Sequence, residues 1–125
     1  MAIPETKRLG DRGEELAAEH FERLGYRVLS RNHRTRFGEL DLVLADPEGA
    51  TIVFCEVKTR RLGSGVSPWD NLHDAKRRQV RKMAAAWVNA VRDRPFGAEL
   101  RFDAVGVTLD REDALVRLDH LEGAF

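Results

Sequence analysis

The sequence predicts a single α/β domain over residues 1–125, a mixed central β-sheet flanked by helices. Three observations predict it. The chain has 125 residues, enough for one hydrophobic core and too few to divide comfortably into two. Two stretches, near Lys7–Leu24 and Asp74–Val91, repeat apolar residues at helical spacing. The runs between and after them repeat at period two or are apolar throughout, in the order α, β, β, β, α, β, β. A content of 42% hydrophobic and 34% charged residues is that of a folded chain rather than a disordered one. No apolar run approaches the roughly 20 residues of a membrane span, and MAIPETKRLGDRGEE lacks the apolar centre of a signal peptide. A cytoplasmic protein with no membrane partner is therefore expected.

In the first helix Leu9, Leu16, Ala17, Phe21 and Leu24 form the apolar stripe, and Gly25 ends it as a C-cap. Glu15, Glu19 and Glu22 fall on the opposite face. Glu14 lies about 20° from Phe21 on a helical wheel. It reads either as an acid favoured by the helix dipole or as a carboxylate held at the core margin and pointed into a site. Tyr26–Ser30 is a short strand, and Arg31–Phe37 is a basic approach to the next. In the second strand, Gly38–Ala45, period two puts Glu39, Asp41 and Val43 on one face and Leu40, Leu42 and Leu44 on the other. Asp46-Pro47-Glu48-Gly49 is a turn. Thr51–Thr59 is apolar on both faces until Glu56, the pattern of a central strand. Lone Cys55 within it is expected to be a buried small hydrophobe.

Leu62–Pro68 holds two Gly, two Ser and a Pro and reads as a flexible loop. The second helix buries Val80, Met83, Ala84, Trp87, Val88 and Val91, with Lys76 on the first turn of that stripe. Strands Leu100–Leu109 and Leu115–Leu118 close the chain, joined by a turn at Asp110–Asp113.

The chemistry is expected in the hairpin. If Asp46–Gly49 forms a four-residue loop, Ala45 pairs with Ala50, Glu39 lies opposite Glu56, and Asp41 becomes a diagonal neighbour of Glu56 with Cβ atoms roughly 7 Å apart. Carboxylate tips converging to about 4 Å repel by about 4 kcal/mol at an effective dielectric of 20, so a cation is needed. Lys58, on the same face, is one candidate, which would make the group a buried ion network. A divalent ion is the other, and carboxylates plus waters suit Mg²⁺ or Mn²⁺. Glu39 is a further ligand if the register holds. His20, His33, His73 and His120 lack metal-ligand spacing and read as surface or capping residues. Asp103 reads either as a site residue or as a partner of Arg101 or Arg34, and Trp69 as packing.

GDRGEELAAEHFERLGYRVLSRNHR, FGELDLVLAD, IVFCEVKTR, the Lys76 helix, RFDAVGV and HLEGAF together resemble the YraN-type family of uncharacterised bacterial proteins. That family lies within the PD-(D/E)XK, restriction-endonuclease-like superfamily, similar to Holliday-junction resolvases. The resemblance implies a restriction-endonuclease-like fold. It also implies that Asp41 and Glu56 bind metal, that Lys58 activates water or stabilises charge at phosphorus, and that Glu14 is the helix-borne acid. Leu40 stands where the superfamily motif has Pro. The implied activity is divalent-metal-dependent hydrolysis of DNA, structured or single-stranded, and nucleases of this fold often work as homodimers.

Net charge is zero but unevenly spread. Residues 57–82 carry eight basic against two acidic residues, and residues 99–125 three against seven. Arg60, Arg61, Lys76, Arg77 and Arg78 are the expected phosphate contacts, which position a backbone without reading sequence. A nucleic-acid-binding module that no longer cuts, and a protein-interaction scaffold using the acidic tail, are the alternatives.

Overall fold

The structure, a computed structural model, describes residues 3–125 apart from 66, 68 and 71. The loop expected over Leu62–Pro68 therefore lies partly outside the described residues. Helix α1 (Glu5–Arg23) leads into β1 (Arg27–Thr35), β2 (Gly38–Ala45) and β3 (Thr51–Arg61). Helix α2 (Asp74–Ala90) then carries the chain to β4 (Glu99–Leu109) and β5 (Leu115–Leu121). The strands form one sheet in the order β1-β2-β3-β4-β5. Only β3 and β4 are parallel, and α2 supplies the crossover that a parallel pair requires. This is the mixed sheet flanked by helices of a restriction-endonuclease-like domain. Among the described residues no helix is long and apolar enough to cross a membrane.

Each helix covers one face of the sheet. Leu16, Ala17, Ala18 and Phe21 of α1 pack on Leu42, Leu44, Val53, Cys55, Val105 and Val107. Val80, Met83, Ala84 and Trp87 of α2 pack on Leu40, Val43, Ile52, Phe54 and Phe102. β3 contributes buried residues to both faces, as its run of apolar residues predicts, and Cys55 is buried. The Trp87 indole, fully buried, donates from Nε1 to Ser30 Oγ at 2.9 Å, so its one polar atom is satisfied. Helix α1 ends where Gly25 takes φ 91°. There Tyr26 N–H bonds Phe21 O and Gly25 N–H bonds Glu22 O, the paired closure of a Schellman motif.

Gly13 brings α1 unusually close to β3. A Cβ at that position would stand 1.7 Å from Thr59 Oγ1 and 2.8 Å from Thr59 Cβ. Gly13→Ala is therefore expected to push the helix off the sheet and to lower stability by about 1–3 kcal/mol, read as a fall in the urea midpoint. An unchanged midpoint would show that the contact relaxes without cost.

Three expectations need correction. β1 extends to Thr35 through RNHRT, which was expected as an approach rather than strand. It is an edge strand, so its polar residues need no apolar partner on the outer side. β5 likewise runs on through Asp119, His120 and Leu121. The β2–β3 register differs by two residues: Ala45 pairs with Ile52, not Ala50. The cause is Asp46, whose Oδ1 accepts the N–H of Ala50 at 2.8 Å and of Thr51 at 3.1 Å. This draws Asp46 into the ladder, where its own N–H bonds Thr51 O. The loop becomes 47–50, still four residues.

Candidate functional site

A shift of two residues keeps side-chain parity, so the hairpin still brings Asp41 and Glu56 together. Their relation becomes more direct than the diagonal one expected. Pairing between β2 and β3 ends at Leu42 and Cys55, and Asp41 lies at the level of Glu56 one step beyond. The strands part there, and the Asp41 carboxylate enters the fork: Oδ2 accepts the backbone N–H of Val57 at 2.7 Å. Strict alternation also slips at this residue. Leu40 packs on the α2 side with Val43, while Leu42 and Leu44 pack on the α1 side. Asp41 opens with Glu14, Asn32, Asp11 and Lys7 onto a cleft of about 410 Å³ beside α1.

Glu56 stays on the α2 side. Its Oε2 meets Lys76 Nζ at 3.3 Å, both side chains being largely buried. The cation beside Glu56 is thus Lys76 rather than Lys58. Lys58 is exposed, has no ion-pair partner among the described residues, and shares a small cavity with Glu56, Trp69, Leu72 and Lys76. That cavity, of about 20 Å³, has room for a water. Glu56 Oε1 is buried without a hydrogen-bond partner among the described residues.

The electrostatics are those of an under-neutralised acidic cluster. Burial pushes the Asp41 carboxyl up to about 8, the charges of Glu56 and Glu14 add to this, and the Val57 N–H and Lys76 oppose it only in part. Burial also raises Glu14, and Asp11, Glu39 and Glu56 add to it. Lys7 beside Glu14 and Lys76 beside Asp41 oppose these shifts without cancelling them.

Asn32 was not foreseen as part of this group. In the amide orientation its neighbours demand, its nitrogen donates to Glu14 Oε1 and Oε2 at 3.0 Å each and to Glu39 Oε1 at 3.1 Å. Its backbone has φ 50°, a conformation that Asn accepts more readily than most residues. It thereby ties Glu14 of α1 to the hairpin. Glu39 itself is exposed and pairs with Arg34 at 3.5 Å. An Asn within a polar strand was the only signal in the sequence.

Could these residues hold a metal? Among the described residues, no three His, Cys, Asp or Glu side chains are grouped closely enough to hold an ion by themselves. Two carboxylates with waters are nevertheless the usual provision for Mg²⁺. The orphaned Glu56 Oε1 and the raised Asp41 are the oxygens such a cation would satisfy. The donor set fits a hydrated hard cation.

The expected phosphate contacts divide. Arg77 and Arg78 are exposed on the first turns of α2. Arg61 is tied to Glu5, Asp113 and the carbonyl of Asp110, and Arg60 donates to Thr108 Oγ1 at 3.1 Å. Arg61 therefore joins β3 to α1 and the β4–β5 turn instead of facing solvent.

A second polar group lies on the α1 side of β4 and β5. Asp103 is completely buried and receives Arg101 Nε and Nη2 at 2.9 and 2.8 Å, His120 Nε2 at 2.8 Å and Gly123 N–H at 3.1 Å. Burial alone would raise its carboxyl, but these bonds hold it below the usual range. His120 Nδ1 lies 3.1 Å from His20 Nε2, and burial and His120 lower His20. His20 and His120 are thus a half-buried chain on Asp103, not the surface residues expected. His73 does cap α2, accepting the Lys76 N–H at 3.4 Å. Of the two partners foreseen for Asp103, Arg101 is the one it has.

A family model described as uncharacterised protein family UPF0102 matches residues 13–107. A UPF0102 protein of Geobacter sulfurreducens is 44% identical over 96% of this chain and 90% of its own length. One from Corynebacterium efficiens is 42% identical over 95% and 93%, and one from Pelotomaculum thermopropionicum 40% identical over 95% and 96%.

Proposed function

We propose that this chain, which belongs to the uncharacterised protein family UPF0102, is a divalent-metal-dependent nuclease hydrolysing phosphodiester bonds in DNA. One observation carries the reading: burial and the charge of Glu56 raise both Asp41 and Glu14, and one buried Glu56 oxygen has no hydrogen-bond partner among the described residues. A fold gains nothing in stability from such an arrangement, whereas perturbed carboxylates in a cleft are what metal-assisted chemistry uses.

Asp41 and Glu56 would hold Mg²⁺ or Mn²⁺. When bound, the ion supplies Lewis-acid polarisation of a phosphate oxygen and a water of lowered pKa. Lys58, exposed beside Glu56, places positive charge where the transition state gains negative charge. Lys76, paired with Glu56, holds a second positive charge beside the two acids, where it would also meet a phosphate. Glu14, held by Asn32, accepts a proton or orients a water at the α1 side of the cleft. Arg77 and Arg78 are the exposed charges suited to the phosphate backbone.

The test is incubation with branched, flapped and single-stranded DNA in Mg²⁺ or Mn²⁺. Cleavage is expected, with a loss of roughly a hundredfold or more in Asp41→Ala and Glu56→Ala. Activity surviving in both variants would overturn the assignment. A second reading, a module that binds nucleic acid without cutting, is favoured by the Lys76–Glu56 pair, which already occupies one of the two acids. It predicts salt-dependent binding indifferent to chelator and weakened by removing Arg77 and Arg78.

A further inference from the structure

The two edges of the sheet differ in how they resist pairing with another chain. At the β1 edge, Arg27, Arg31 and Arg34 are exposed, a register shift falls between Val28 and Ser30, and Asn32 has φ 50°. Like charges, bulges and irregular backbone are the devices that keep an edge strand single. The β5 edge has few of them. Among the described residues it is bonded on one side only, to β4, and is regular from Arg117 to Leu121, with its one shift at the start, opposite Thr108 and Leu109. Leu115, Val116 and Leu121 are exposed at 40%, 48% and 39%.

The β5 sequence Leu115-Val116-Arg117-Leu118-Asp119-His120-Leu121 is also self-complementary. Turned antiparallel on itself about Leu118, its regular stretch sets Arg117 of one copy against Asp119 of the other, twice. Both charged side chains lie on the outer face, where Arg117 Nε and Asp119 Oδ1 of the same chain already stand 2.9 Å apart. Two copies would make a closed ring of alternating charge. A foreign strand would have no reason to carry this pattern, so the occupant it fits is a second copy of this chain.

We propose that β5 is a self-association edge, through which two copies join their sheets antiparallel about Leu118 into one ten-stranded sheet. The interface is isologous and closed, so it yields a dimer and no filament. It sets the two β3 strands, with their Glu56 residues, five strand spacings or about 24 Å apart. The dimer stands independently of whether the cleft cuts DNA, because its readout is mass.

Sedimentation equilibrium over a concentration series tests it. The native chain is expected to shift from 14.2 kDa toward twice that mass as concentration rises. Arg117→Glu should weaken association roughly tenfold or more, since both cross-strand attractions become repulsions. The double variant Arg117→Glu/Asp119→Arg should restore it. These side chains are on the outer face of an edge strand, and circular dichroism checks that the variants fold. Register is tested by oxidising Arg117→Cys and Asp119→Cys proteins: a cross-link is expected only when the two are mixed. A native chain monomeric up to millimolar concentration, a dimer indifferent to Arg117→Glu, or a cross-link in Arg117→Cys protein alone would overturn the proposal.

Discussion

Asp41→Asn protein is expected to be more stable than the native chain at pH 8 and equal to it near pH 4. The carboxyl is carried from the ordinary 3.8 to about 8 by burial and by Glu56. Below the ordinary value both folded and unfolded chains hold the proton, and ionisation costs nothing. As pH rises through that value the unfolded chain releases its proton while the folded chain keeps it, so folding becomes progressively less favourable until the pH passes about 8. Each unit of such a shift is about 1.4 kcal/mol, which makes the full penalty on the order of a few kcal/mol. Asparagine keeps an oxygen for the Val57 N–H and carries no charge, so its stability should not fall with pH in this window for this reason. Thermal unfolding of the two proteins between pH 4 and pH 8 measures the difference. Mg²⁺ at pH 8 should raise the midpoint of the native chain and leave that of Asp41→Asn unmoved. A native chain no less stable than the variant at pH 8 would mean that Asp41 is neutralised by something other than an incoming cation.

Arg101→Ala should act in the opposite sense. Asp103 has no solvent contact, and Arg101 supplies two of its four hydrogen bonds. Removing one partner of a buried pair leaves a charge with too little compensation, at a cost of about 3–5 kcal/mol where burial is complete. Arg101 is one-quarter exposed and His120 and Gly123 remain, so the lower end of that range is expected. Adding Asp103→Asn to Arg101→Ala should recover much of the loss, since the neutral side chain needs less compensation. Urea denaturation of the native chain and the single and double variants gives the comparison. Because Asp103 is held below its ordinary range, its contribution is complete above the usual carboxylate pKa and disappears as pH falls through the lowered one. Asp103 and Asp41 therefore press stability in opposite directions across the acid range.

The parts of this molecule that were legible in its sequence are those governed by local periodicity. The stripes through Phe21 and Trp87 and the doubly buried run from Ile52 to Cys55 each report their own environment. The hairpin brought Asp41 to Glu56 because parity survives a two-residue slip. The slip itself was not legible, since it depends on Asp46 bonding the far side of its own turn. Nor was the choice of Lys76 over Lys58 beside Glu56, which turns on how the crossover helix docks. Asn32 and the chain from Asp103 through His120 to His20 were missed for a related reason. Each is a polar residue whose partners lie on other elements, and periodicity says nothing about partners.

The missing side chain at Gly13 has a meaning beyond packing. Glu14 follows it directly, so the depth at which α1 rests on Thr59 also fixes how near its carboxylate comes to Asp41 and Glu56. The helix thus works as a spacer whose thickness is set by one hydrogen atom. A methyl group at residue 13 would withdraw a negative charge from the cleft without touching anything in it, and Asp41 would become a stronger acid. Helix-to-sheet distance is in this sense a setting of the site's acidity, held by the smallest residue in the chain.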